Sequence, residues 1–214
     1  TDVGNKAEKW RWLGEARYTI LSVFEVLKYK PRLATLILDK DKIIDNFLKT
    51  LEKPHWQSGF AEVIKYGLIM DRDLWYKLEG KNYLEINDWN PIISKAAKDK
   101  IDIVRFDLLE KGIRKNLNFG HTVGHALESF YLNSDNPVTH GKAVAAGIIC
   151  EGWISSKVFN LECKNLESIV KMIDNNFTRI DFCNEDISRI MELMKQDKKI
   201  RGNKIKRTTE AKIT

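Results

Sequence analysis

Cysteine, proline and glycine are all scarce in this 214-residue chain, at 3 Cys, 4 Pro and 12 Gly. Cys150, Cys163 and Cys183 form no CxxC pair. So few thiols, and an odd number, argue against a disulfide scaffold and for a reducing compartment, so a cytoplasmic protein is expected. So little proline and glycine excludes collagen-like, proline-rich and linker-dominated chains. Long apolar runs are lacking too. The longest, Ala143 to Cys150, is far short of a membrane span, and no membrane partner is expected. No basic-then-apolar leader opens the chain, so nothing points to secretion, and the first residue is not Met. There is no internal repeat, no low-complexity stretch and no Gly-rich phosphate loop or dinucleotide fingerprint.

What is present is enough for a folded core. Hydrophobic residues make up 43% and charged residues 31%, which excludes wholesale disorder. The net charge of +6 is local. Lys195, Lys198, Lys199, Arg201, Lys204, Lys206 and Arg207 face a single acid, Asp197, in one stretch, and that excess equals the charge of the whole chain. The segment reads as a solvated tail or a site for a small anion. A nucleic-acid patch would interleave aromatic residues with these charges, and none occur there, so no nucleic-acid partner is expected.

Residues 1–50 carry one short strand candidate, Leu33 to Leu38, and little other pattern. From Ser58 onward the chain reads as a series of helices. Ser58 is a plausible cap for a first helix, whose apolar positions Phe60, Val63, Ile64, Leu68, Trp75 and Leu78 run to Gly80. Glu62 and Lys65 share a flank of it, the usual setting of a surface ion pair. A second helix begins at Asn90-Pro91. Its apolar stripe includes Lys100 and extends to Asp107; Lys100 either snorkels outward or meets an anion, and Asp107 raises the odds of a polar site there. A third follows Asn118 with Gly120, His121, Gly124 and His125, and a fourth runs from about His140 with the small residues Ala143, Ala145, Ala146 and Gly147. Further helices are expected near Leu166 to Asn175 and Asp186 to Gln196. Cys150 is expected in the core.

Three of the four histidines, His121, His125 and His140, lie within twenty residues. Catalytic zinc takes three protein ligands of His and carboxylate type and keeps one position open. Glu62 with two of the three histidines satisfies this. Spacing does not choose the two, although His121 and His125 pair naturally on one helical turn. Lys65, Lys100, Arg114 and the Lys198-Lys199 pair are candidates for an anionic ligand. Arg114, with its planar fork, suits a carboxylate or phosphate unless it pairs with Glu110. With Asn118 alongside, the set fits a small hydroxylated anion better than a structural zinc site.

These residues resemble signatures of the 3-dehydroquinate synthase family. The similar segments are Ser58-Gly59-Phe60-Ala61-Glu62-Val63-Ile64-Lys65-Tyr66-Gly67, and Lys100 with Asp107, Glu110, Gly112 and Arg114 leading into Leu117-Asn118-Phe119-Gly120-His121-Thr122-Val123-Gly124-His125-Ala126-Leu127-Glu128. His140-Gly141-Lys142-Ala143-Val144 follows, with Lys142 where Glu is common, and then Met194-Lys195-Gln196-Asp197-Lys198-Lys199. The match covers residues 58 to 199. Trp10 to Val26 does not follow the family's pattern.

The resemblance implies a mainly α fold: the helical metal-binding domain of the dehydroquinate synthase-like fold at 51–214, after a short residual α/β segment at 1–50, a remnant or divergent end of the nucleotide-binding domain. It implies that Glu62, His121 and His140 hold zinc, or cobalt or another divalent ion in its place. It implies that Lys65, Lys100, Arg114, Asn118, His125 and Lys198 contact substrate, with Lys65, Asn118 and His125 the catalytic ones. The implied reaction is that of a shikimate-pathway lyase in aromatic amino acid biosynthesis. It converts 3-deoxy-D-arabino-heptulosonate 7-phosphate to 3-dehydroquinate and phosphate, with NAD used transiently. The resemblance also implies a homodimer. Another sugar-phosphate cyclase of the superfamily and a non-catalytic zinc-binding module are the alternatives.

Overall fold

The computed structural model describes residues 52–196. The expected α/β segment at 1–50 lies outside the described residues, as do Lys198 and the basic stretch around it. Within them seven α-helices and two short 3-10 turns carry the chain, and no strand occurs among the described residues.

Helix α1 spans Lys53–Ile69 and starts ahead of Ser58. Pro54 occupies its first turn, where the missing N–H costs nothing. The Glu52 carbonyl accepts the N–H groups of His55 and Trp56. From Ser58 to Ile69 every residue of α1 is buried, the polar flank of Ser58, Glu62 and Lys65 along with the apolar faces. This makes α1 the central helix, packed by α5, α2 and α3. It also overturns the expectation of a surface Glu62–Lys65 pair, since both side chains are buried.

The first helix does not continue to Leu78. It breaks at Met70, and Asp71 starts α2 (Arg72–Leu78) by accepting the Leu74 N–H at 3.1 Å. A 3-10 turn at Tyr83–Glu85 then leads to α3 (Asn90–Phe106). The expected Asn90-Pro91 start holds, with Asn90 as the first helical residue. Asp107 is not on the helical stripe: it is the C-cap residue of α3. A second 3-10 turn, Ile113–Asn118, precedes α4 (His121–Tyr131), α5 (His140–Val158), α6 (Cys163–Asp174) and α7 (Asn184–Gln196). The last four helices fall close to their expected positions.

The small residues of α4 and α5 let two backbones touch. Gly120 has φ +79°, which a side chain would strain, and it leaves room for Ile148 and the Val144 carbonyl. A Cβ on Gly147 would lie 2.0 Å from the Gly120 carbonyl oxygen. The main core gathers Phe60, Ile64, Tyr66, Phe119, Ile148 and Met172 around α1. A smaller one joins Val123, Leu127, Ala143 and Ile190 between α4, α5 and α7. Cys150 is exposed on α5 rather than buried: the Ala143–Cys150 run wraps round the helix, and this position faces outward. No helix among the described residues is long and apolar enough to cross a membrane.

Candidate metal centre

Three helices bring one ligand-type atom each to a common point. Glu62 lies in the middle of α1, His121 is the first residue of α4, and His140 is the first residue of α5. The close packing of backbones sets this convergence. Ser58 caps a helix, but not its own. Its Oγ accepts the Gly141 N–H of α5 at 3.3 Å. A Cβ on Gly141 would lie 2.1 Å from the Ser58 Cα. The start of α5 therefore rests on α1 one turn from Glu62.

Glu62, His121 and His140 each offer an atom within 4.8 Å of the other two. Glu62 Oε1 lies 3.3 Å from His121 Nε2 and 4.0 Å from His140 Nε2. That oxygen is buried without a hydrogen-bond partner, an expensive state unless a cation completes it. The other oxygen, Oε2, accepts from Lys65 Nζ at 2.6 Å. The second nitrogen of each imidazole is engaged elsewhere. His121 Nδ1 faces the Phe119 carbonyl at 3.2 Å, and His140 Nδ1 faces Glu128 Oε2 at 3.0 Å. Both rings thus turn Nε2 toward Glu62, the arrangement that orients metal-ligating histidines. A His₂Glu donor set suits a divalent cation of the zinc type with a position left open.

The electrostatics of Glu62 and His121 favour binding. Burial opposes ionisation of Glu62, yet Lys65 and His121 hold its carboxyl well below the usual range. Burial, with the Lys65 charge nearby, pushes the His121 imidazole down to about 4, so it is neutral near pH 7 and free to donate a lone pair. For His140 burial works downward, but the Glu128 carboxylate and Glu62 raise its pKa above the ordinary histidine value.

His125, one turn along α4, joins the cluster without joining the three-atom set. Its ring centroid is 5.3 Å from that of His121 and 5.9 Å from that of His140. Of the three histidine pairings that spacing left open, the convergent one is His121 with His140, and not the one-turn pair His121 with His125.

The other described residues expected to meet substrate lie on α1, α3 and the second 3-10 turn. Lys65 is buried against Glu62 and lies 5.4 Å from the centre of the Tyr66 ring. Arg114 and Asn118 sit half-buried on the second 3-10 turn, just before α4. That turn is built by Asp107, whose carboxylate accepts the N–H groups of Lys111, Gly112 and Arg114. Asp107 shapes the loop instead of lining a polar helix face. Arg114 Nη1 donates to the Leu108 carbonyl, and Glu110 accepts from Asn118 Nδ2 at 2.8 Å, so the Glu110 carboxylate serves Asn118. Lys100 is half-buried on α3. A separate groove of about 700 Å³ at α2 and α3, lined by Asp71, Lys77, Asp88 and Lys95 among others, includes none of these residues.

Sequence reasoning gave Glu128 no role. A signal was there, since Glu128 stands seven residues after His121 and three after His125, on one face of α4.

Comparison with known proteins agrees with the geometry. The family model described as 3-dehydroquinate synthase C-terminal matches residues 59–200. A 3-dehydroquinate synthase of Parabacteroides distasonis is 37% identical over 162 residues, which is 73% of this chain and 45% of that protein. One from Bacillus mycoides is 38% identical over 163 residues, 74% of this chain and 44% of its own length. One from Rippkaea orientalis is 34% identical over 189 residues, 83% of this chain and 48% of its own length. The chain thus spans about half the length of the curated relatives it matches, and it belongs to the 3-dehydroquinate synthase family through that family's C-terminal domain.

Proposed function

We propose that this chain is the metal- and substrate-binding part of a 3-dehydroquinate synthase, converting 3-deoxy-D-arabino-heptulosonate 7-phosphate to 3-dehydroquinate and phosphate. In this reading residues 51–214 form the helical domain, 1–50 belong to the end of the nucleotide-binding domain, and the protein works as a cytoplasmic homodimer. The observation that carries it is the meeting of Glu62, His121 and His140 from three helices around an unsatisfied carboxylate oxygen.

Those three residues would hold zinc. When bound, zinc supplies Lewis-acid polarisation and a template for substrate hydroxyls. The rest is the work of the chain itself. Lys65 fixes the Glu62 carboxylate from behind and brings positive charge to the site. His125, beside the cluster, exchanges protons with a substrate hydroxyl. Arg114 and Lys100 take the substrate carboxylate, Asn118 takes a hydroxyl, and Lys198 takes the phosphate. Holding both charged ends of the substrate converts orientation into rate. The described residues carry no strand and no Gly-rich fingerprint of the kind that cradles the family's NAD.

The test is phosphate release and 3-dehydroquinate formation by the zinc-loaded full chain supplied with NAD and the sugar phosphate. Turnover that His140→Ala abolishes supports the reading. Binding of zinc and sugar phosphate with no phosphate released would contradict it and leave a non-catalytic metal-binding module.

A further inference from the structure

Glu151 is a buried carboxylate in the middle of α5, 4% exposed, and it belongs to neither the ligand set nor the substrate-facing residues. Its Oε1 accepts the backbone N–H of Thr122, the second residue of α4, at 3.2 Å. The first N–H groups of a helix have no partner inside it. A capping side chain normally serves one of them from the residue before the helix. Here that residue is Gly120, which has no side chain to offer. A carboxylate from a neighbouring helix serves instead, and it also meets the positive end of the α4 dipole.

The position of this contact gives it a consequence for the site. Thr122 directly follows His121, so the contact holds the turn from which the His121 ring projects. Glu151 stands eleven residues, three helical turns, after His140 on the same face of α5. The Gly120–Gly147 backbone contact lies between these two points along α5. One helix therefore carries one histidine at its start and clamps the start of the helix that carries the other.

We propose that Glu151 is a positioning residue for the metal centre: by anchoring the first turn of α4 to α5, it fixes His121 Nε2 opposite Glu62 Oε1. This rests on the metal-binding reading above. What matters is an acceptor oxygen at the right reach. Glutamine can supply that oxygen, whereas aspartate, one methylene shorter, cannot bring it to Thr122.

The experiment uses the full chain with Glu151→Gln and Glu151→Asp, titrated with cobalt(II) and followed by its visible absorption bands, well below each variant's unfolding temperature. Glu151→Asp should bind cobalt about 10–100-fold more weakly, the scale of a lost supporting contact, with shifted bands. Glu151→Gln should stay within about threefold of the parent with unshifted bands. In the metal-free proteins, Glu151→Asp should speed hydrogen exchange at the Thr122 amide and shift the His121 ring-proton resonance, and Glu151→Gln should restore both. If Glu151→Asp binds cobalt with parental affinity and spectrum, and only its unfolding temperature falls, the positioning role is overturned. If the parent itself binds no cobalt, the metal reading fails, and the metal-free measurements still decide the role of Glu151. Unchanged exchange and resonance in Glu151→Asp would then overturn it.

Discussion

His140 Nδ1 and Glu128 Oε2 lie 3.0 Å apart, tying the first residue of α5 to α4. The contact settles which nitrogen of His140 is turned toward Glu62. It also links two helices that already touch through the Gly120 and Gly147 backbones.

Removing that link should weaken the centre without removing a ligand. Glu128→Ala is expected to lower zinc affinity about 10–100-fold, and Glu128→Gln less, because its amide oxygen still accepts from the ring. Competition against a chromophoric chelator measures this. Parental affinity in Glu128→Ala would contradict the orienting role.

The backbone contact between α4 and α5 leaves no room for a methyl group. In Gly147→Ala the new carbon would sit 2.0 Å from the Gly120 carbonyl, a rigid backbone atom. A loss of about 3 kcal/mol or more in denaturant unfolding is expected, at or beyond the usual cost of overpacking. Gly152→Ala on the same helix is the control. Its added carbon would make an ordinary 3.4 Å contact with Leu166. That change should be neutral or stabilising by about 0.5–1 kcal/mol, the helix penalty of glycine.

The metal-free protein should carry a pH signature of His121. Its imidazole falls from the ordinary 6.5 to about 4 on folding. The unfolded chain therefore binds more protons than the folded one between those values. The contribution of His121 to stability is complete above pH 6.5 and is lost as pH falls toward 4. His140 works in the opposite direction, because its pKa is raised: its contribution is present at low pH and fades as pH rises through its folded value. Comparing urea unfolding of the parent and His121→Asn isolates the first effect. The parent's free energy should fall relative to the variant's as pH drops from 6.5 to 4, and a gap independent of pH would contradict the assignment.

His125 separates ligand from neighbour. His125→Ala should keep about one metal ion per chain, as expected for a histidine outside the three-ligand set, while sugar-phosphate binding measured by calorimetry weakens. Metal loss equal to that of a ligand variant would overturn the choice of His140 over His125.

Much of this arrangement was legible in the sequence, for physical reasons. Helix α3 announced itself through Asn90-Pro91, and α4 and α5 through glycine and alanine placed where two backbones meet. Glu62, His121 and His140 were legible because ligand chemistry narrows the choice of residue type, and the family motifs then fixed the positions. The break between α1 and α2 was missed because Asp71 caps a new helix inside an unbroken apolar pattern. The Glu62–Lys65 pair was misjudged because burial of α1 depends on helices distant in sequence. Asp107 sat in helical register but was drawn off the helix by three backbone N–H groups of the following turn. Glu128 acts across a helix interface, and local spacing does not report that.

Every metal-dependent expectation above needs Glu62, His121 and His140 to assemble one metal centre. Elemental analysis of the purified full chain beside His140→Ala tests it most directly. About one zinc per chain is expected in the parent, as for a single three-ligand site, and its loss in the variant. A folded parent that holds no zinc after resupply, or a variant that keeps the parent's stoichiometry, would contradict it.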